Sequence, residues 1–235
     1  MSLILEKIYS AKKWSIELRR LFQTGELFNE LPEVAKLYGI PQTEKWHPEI
    51  CTGWHMELCL DALQAHNPDA SFMEFVCVLF HDLGKAITPK DNYPAHHQHE
   101  RLGMPLVERA CERFGLSAEI RKNAVYVCDR HLQIHNFKEL TTKKMLEIAK
   151  DVIYGGIDEN VVVTACYSDA AGRLGKELSF AGYTQGQLFL KVVQYVREHP
   201  NTFDQAQQTI EWAEVHKLQL NQIEKLKSAF AFISV

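Results

Sequence analysis

An all-α helical bundle is the fold class this sequence predicts, and three observations carry it. Apolar residues recur with helical spacing along nearly the whole chain. The strand signal is confined to Val161-Val162-Val163, which itself sits inside a helical pattern. Helix-start and helix-stop residues punctuate the periodic stretches throughout, while no internal repeat or low-complexity segment interrupts them.

Taken in order, residues 1–38 read as two or three short helices, broken near Gly25 and Pro32. A loop from Gly39 to Pro48 follows, and Thr52 opens a helix to about His66 with Trp54, Leu58, Ala62 and Ala65 among its apolar positions. Ser71 and Glu74 have the spacing of a capping box for the next helix. That helix presents Phe72, Phe75, Val76, Leu79 and Phe80 on a wide apolar face and ends around Gly84. Pro89 to Pro94 is loop. A helix from about His97 to Phe114 is disturbed at Gly103 and Pro105, where a kink is expected. Ser117 starts a helix reaching His135, and Thr142 one that stops at Gly155-Gly156. Asp158 caps another through Arg173, and a further helix spans Gln185 to His199. Pro200 and Thr202 mark a boundary before a last polar helix containing Phe203, Ile210, Trp212 and Ala213. The total is roughly eight or more helices. Residues 1–200 form the expected catalytic domain, and 201–235 an amphipathic tail packing on that body or on a second subunit, so a homo-oligomer is open.

With 235 residues, 46% hydrophobic and 24% charged, the chain has the composition of an ordinary globular protein and not of a disordered one. A net charge of −4 offers no basic field for extended DNA. No run of about 18 apolar residues is long enough for a membrane span. The opening residues carry no apolar stretch followed by a small-residue cleavage site. The six cysteines are scattered without a CxxC pair, as reduced core thiols of a cytoplasmic protein would be.

The histidines carry the chemistry. Nine of eleven fall between positions 47 and 135. His81-Asp82 stands late in a strongly apolar helix, where an acid near the C-terminus calls for a compensating cation. Lys85 follows in the same HDLGK run and supplies positive charge for a phosphate. His55 lies on or beside the apolar stripe of the preceding helix. His131 and His135, at i and i+4, extend the stripe Ile120, Ala124, Val127 and Cys128, and Asp169 falls on the stripe Val162, Ala165, Gly172. Each residue alone reads as a satisfied core histidine or a solvated acid. Buried-face acids and histidines recurring on four helices point instead to a metal, because a buried carboxylate is costly without a cation. Mixed imidazole and carboxylate donors suit nickel, manganese, cobalt, iron or zinc, not calcium. Such an ion acidifies a water and polarises a phosphoryl oxygen.

The order His55, His81-Asp82, Asp169 resembles the H…HD…D signature of the HD superfamily of metal-dependent phosphohydrolases. The chain is more closely similar to the HD domain at the C-terminal end of bacterial CCA-adding tRNA nucleotidyltransferases. Four segments carry this: Glu44 to Ile50 (EKWHPEI), residues 81–85 (HDLGK), 93–100 (YPAHHQHE) and 168–175 (SDAAGRLG). The similarity runs from about residue 15 to 200. It implies an HD-domain helical bundle with a metal held by His55, His81, Asp82 and Asp169, and a second ion, where one binds, at His99 and His131. It further implies His96 and His97 facing substrate, and Lys85 and Arg173 contacting phosphate. The activities it implies are those of a 2′,3′-cyclic phosphodiesterase, 2′-nucleotidase and phosphatase, with nickel favoured. The sequence departs from the family pattern at Cys51, where an aspartate is usual, and at Gln98, where a glycine is. It contains no Gly-Gly-x-Val-Arg-Asp run and no Asp-x-Asp pair of the polymerase type, so the resemblance does not reach nucleotide addition.

The expected function is hydrolysis of phosphomonoesters or cyclic phosphodiesters of nucleotides or RNA ends, with tRNA among the candidate partners. The same ligands would serve an HD nucleotidase or triphosphohydrolase acting on 5′-nucleotides or a signalling nucleotide. A non-catalytic tRNA-binding module is the third reading, and it leaves buried Asp82 and Asp169 without a task.

Overall fold

Every residue from Val161 to Ala170 is buried. A helix covered on all sides has no solvent face, and its sequence accordingly lacks an amphipathic stripe. This helix, α10 (Glu159–Ala171), is the axis of the molecule. The β-branched run Val161-Val162-Val163 is helical because four packed neighbours outweigh its weak intrinsic preference for strand.

The computed structural model describes residues 3–199, and the expected tail helix at 201–235 lies outside them. Among the described residues there are eleven α-helices, three short 3-10 turns and no strand, apart from one isolated bridge between Pro41 and Cys51. The first four helices are α1 (Leu3–Tyr9), α2 (Trp14–Gln23), α3 (Glu26–Glu30) and α4 (Pro32–Ala35). Then come α5 (Thr52–His66), α6 (Phe72–Phe80), α7 (His99–Arg113) and α8 (Ala118–His135). The last three are α9 (Thr142–Gly155), α10 and α11 (Thr184–Glu198). Among the described residues no helix is long and apolar enough to cross a membrane.

Capping chemistry sets the boundaries. Ser71 and Glu74 form both halves of the capping box of α6. Ser117 and Thr141 accept hydrogen bonds from the amides of Ile120 and Lys144, each at 3.2 Å. Asp158 takes the amides of Asn160 (2.9 Å) and Val161 (3.3 Å) at the start of α10. α9 ends where Gly156 turns left-handed, φ 60°.

α10 packs against α5, α6, α8 and α11, while α7 closes over α8 and over the turn Leu83–Ile87. α2 braces α5 from outside, where Arg19 pairs with the buried carboxylate of Glu57. Two details differ from the sequence reading. The buried face of α5 is His55, Met56, Cys59, Leu60 and Leu63, and Trp54 is 57% exposed. α5 is apolar on too many sides for periodicity to say which side faces in. The second concerns α6, which ends at Phe80, so Asp82 lies outside the helix (φ −108°, ψ 12°) and opens the turn Leu83–Ile87. All six cysteines are unpaired, five of them buried.

Candidate metal centre

The helix crossings converge on one polar core. His55 comes from α5, His81 from the end of α6, His99 from the first turn of α7, His131 and His135 from α8, and Asp169 from α10. Asp82 lies among them, on the turn that α7 covers. Gly84 makes this closure possible: a Cβ there would stand 1.8 Å from the carbonyl oxygen of His99.

Four of these histidines, His55, His81, His99 and His131, share one arrangement. His55 Nδ1 lies 2.9 Å from Glu49 Oε1, and His81 Nδ1 donates to the carbonyl of Val78 at 2.7 Å. His99 Nδ1 donates to the carbonyl of His96 at 3.0 Å, and His131 Nδ1 to that of Cys128 at 3.0 Å. Each Nδ1 proton is thus held by an oxygen of the scaffold. Each Nε2 is thereby turned towards a carboxylate: His55 to Asp169 Oδ1 at 2.9 Å, His81 to Asp82 Oδ2 at 3.4 Å, His99 and His131 to Asp82 Oδ1 at 3.1 and 3.8 Å. Fixing one ring nitrogen so that the other can ligate is how metal-binding histidines are oriented.

Besides His47, Glu49 and His55, whose donor atoms also lie close together, two groups of donors result. His55, His81 and Asp169 stand together with Cys59, while Asp82, His99 and His131 form a second group, and the donor atoms within each lie within 4.8 Å of one another. The two oxygens of Asp82 face different groups, so Asp82 joins them.

These residues fit a divalent cation. His81 Nε2 and both Asp82 oxygens are buried and make no hydrogen bond, although Lys85 Nζ stands 2.6 Å from Asp82 Oδ2 as an ion pair. Glu49, Asp82 and Asp169 are all buried, as is Lys85. Three carboxylates against one ammonium leave two negative charges to balance. In the metal-free protein the imidazoles supply the balance. Burial opposes the charged form of His55, but Cys59, Asp169 and Glu49 together raise its pKa well above the ordinary value. For His81 the Asp82 carboxylate outweighs burial in the same direction. Asp82 is held well below the usual carboxylate range because Lys85 and His81 overcome its burial, and Asp169 likewise because of His135 and His55. Burial keeps His131 neutral by pushing its pKa well down. A divalent ion at this site would compete with the protons that these carboxylates favour on His55 and His81.

The remaining residues occupy distinct places. Lys85 Nζ also donates to Gln42 Oε1 at 2.6 Å. His96 has both ring nitrogens engaged, Nε2 donating to the carbonyl of Pro41 at 2.6 Å and Nδ1 lying 2.5 Å from Thr88 Oγ1. It holds two loops together as well as lining the cavity described next. His97 is exposed and does not line that cavity. Arg173 lines it with a buried Nε that has no hydrogen-bond partner. The cavity, about 590 Å³, opens over the second donor group at His99 and is also lined by Lys85, Lys176, His47 and His135.

Sequence reasoning passed over Glu49, Cys59 and Tyr183. Glu49 Oε1 takes His47 (3.0 Å) and His55 (2.9 Å), while Oε2 accepts the amide of Leu174 at 3.1 Å, tying the loop before α5 to the end of α10. Loop residues give no periodicity, so its inward direction was invisible. Cys59, read as a core thiol, has its sulfur 3.4 Å from His55 Nε2; its place one turn after His55 was the available signal. Tyr183 Oη donates to His135 Nδ1 at 2.8 Å, and His135 Nε2 to Asp169 Oδ2 at 2.6 Å. Glu49→Gln keeps the shape but weakens its hold on His55, and metal affinity measured by competition with a chelating dye is expected to fall about 10- to 100-fold.

Fold and site together describe a helical protein with a buried, two-part histidine–carboxylate centre beneath a cationic cavity. Curated proteins called Multifunctional CCA protein are similar to this chain in sequence. That of Shewanella denitrificans is 38% identical over 161 residues, which are 68% of this chain and 38% of that protein. That of Xanthomonas campestris pv. campestris is 36% identical over 184 residues, 77% of this chain and 44% of the relative. That of Vibrio campbellii is 35% identical over 190 residues, 80% and 46%. The chain spans less than half the length of these relatives. No family model matches it.

Proposed function

We propose that this protein is an HD-type, metal-dependent phosphohydrolase that cleaves phosphomonoester or cyclic phosphodiester bonds of nucleotides or RNA ends. The observation that carries the proposal is the set of four buried histidines whose Nε2 atoms meet Asp82 and Asp169 beneath a cavity lined by Lys85, Arg173 and Lys176. The likeness to Multifunctional CCA proteins supports an RNA-end or nucleotide substrate, with tRNA as a partner.

In this reading His55, His81, Asp82 and Asp169 hold one divalent transition metal (nickel, manganese, cobalt, iron or zinc), and His99 and His131 with Asp82 hold a second. The bound metal supplies Lewis acidity towards a phosphoryl oxygen and acidifies a water. The chain's own groups do the rest. Lys85 and Arg173 meet the negative charge of the phosphate, where a cation in a partly dry site is worth more than in water. Gln42 and Asp82 fix the Lys85 ammonium in place. Glu49 keeps the Nδ1 proton on His55, so that its Nε2 carries the free lone pair.

The test is a panel of 2′-, 3′-, 5′- and 2′,3′-cyclic nucleotides, assayed after chelation with each metal added back. Hydrolysis confined to 2′ and cyclic phosphates is expected. Turnover only of 5′-nucleotides or triphosphates would replace this substrate assignment with the nucleotidase reading. Absence of bound metal together with absence of turnover under any ion would leave a non-catalytic RNA-binding module.

A further inference from the structure

Trp46 is 56% exposed and lines the same cavity as Lys85 and Arg173. A large aromatic is normally placed to bury area, and this one keeps more than half of its area free beside charged groups. Its backbone is well fixed. The amides of Trp46 and His47 both donate to the carbonyl of Thr43, at 3.0 and 2.9 Å, and the Thr43 hydroxyl donates to the carbonyl of Pro94 at 3.3 Å. The next residue, His47, is held by Glu49, the same carboxylate that orients His55. The backbone that carries the indole is therefore tied to the same loop whose Glu49 orients His55.

The Lys45 ammonium stands 4.6 Å from the ring centroid, so a cation covers one face of the indole. The cavity wall also includes Leu132, which is 37% exposed, and Leu178. The cavity wall therefore combines cationic groups and a donor histidine with an aromatic ring and apolar carbon. At about 590 Å³ the cavity is in the size range of small-molecule sites. A ligand that matches it carries both a phosphate and a flat ring.

We propose that Trp46 is the nucleobase platform of this site, stacking the base of a nucleotide or of an RNA end while the phosphate sits towards Lys85 and Arg173. The inference rests on the phosphohydrolase reading and names its substrate class. Stacking accepts any base, because every base has a π face, and it is lost on truncation to alanine with roughly a five- to hundredfold weakening. Purines and pyrimidines should therefore both be taken.

The experiment compares the full chain with Trp46→Ala and Trp46→Phe on three compounds: adenosine 2′-phosphate, glycerol 2-phosphate, and a trinucleotide ending in a 2′-phosphate. Wild type is expected to show a lower KM for both base-bearing compounds. In Trp46→Ala the ratio of KM for adenosine 2′-phosphate to KM for glycerol 2-phosphate should rise on the order of tenfold, and Trp46→Phe should restore most of it. Whichever of mononucleotide and trinucleotide has the lower wild-type KM identifies the source of the base. A ratio unchanged by Trp46→Ala overturns the platform and leaves the phosphohydrolase reading standing. Should wild type hydrolyse none of the three, the phosphomonoester part of that reading fails, and calorimetric Kd values for the same compounds decide the platform. A tenfold preference for the nucleotide, lost in Trp46→Ala, upholds it, and equal affinities overturn it.

Discussion

Asp82→Ala is expected to leave the purified protein without transition metal and to reduce turnover more than about a hundredfold. The bound comes from comparison with outer-shell residues: replacing a partner of a ligand costs about 10- to 100-fold, and Asp82 is the carboxylate on which both donor groups converge. Its Oδ2 faces His81 and Lys85, and its Oδ1 faces His99 and His131. Truncation removes one negative charge from a core that otherwise carries two in excess, which is the charge that favours a divalent ion. It also leaves Lys85 buried with Gln42 as its remaining polar partner, and breaking a buried pair on one side costs about 3–5 kcal/mol. Asp82→Asn separates the two effects, since it keeps volume and removes charge. Metal content by elemental analysis, turnover and thermal unfolding are read together. An Asp82→Asn protein that folds, retains its metal and turns over at the wild-type rate would remove Asp82 from the centre.

How much of this centre was legible in the sequence depended on where each residue lies. His131 stood out because the periodicity of α8 exposes a polar residue on a buried stripe, and Asp169 because it is an acid in the apolar run of α10, a helix buried on every side; the structure buries both. His81-Asp82 was legible as a pair, but the backbone path was not: the helix ends at Phe80, and Gly84 lets the following turn press against α7. The sequence sets His55 on or beside a stripe that includes Trp54, whereas the structure turns Trp54 outward and buries His55 completely. α5 has apolar residues around most of its circumference, so its orientation is settled by α10 and α2, contacts that no local pattern records. Glu49 and Trp46 lie in a loop whose course is fixed by hydrogen bonds to distant segments, Leu174 in one case and Pro94, through Thr43, in the other. The capping residues, by contrast, act within one turn, and Ser71, Ser117 and Asp158 start their helices where the sequence places them.

Removing the metal is expected to give the protein a stability that peaks near about pH 6.5, the ordinary histidine pKa, and adding metal should abolish the alkaline decline. The sign follows from histidines shifted in opposite directions. His55 and His81 are raised by their carboxylates. Their contribution is complete below the unfolded value and is lost as pH rises through the folded one, because the native state then gives up protons that balanced Asp82, Asp169 and Glu49. His131 is pushed well down by burial, and His47 to about 4. Their contribution is present above the unfolded value and is lost as pH falls through the folded one, because unfolding then takes up protons. Metal reverses only the first trend. It replaces the protons on His55 and His81, so its affinity grows as pH rises and competition from protons weakens, and stability rises with the ratio of free metal to Kd. Thermal unfolding between about pH 5 and 9, with chelator and with each added metal, should give curves that diverge progressively above about 6.5. Parallel curves would mean that the imidazolium protons and the metal do not share a site. The two negative charges left by Glu49, Asp82, Asp169 and Lys85 would then be balanced in some way other than by ligation.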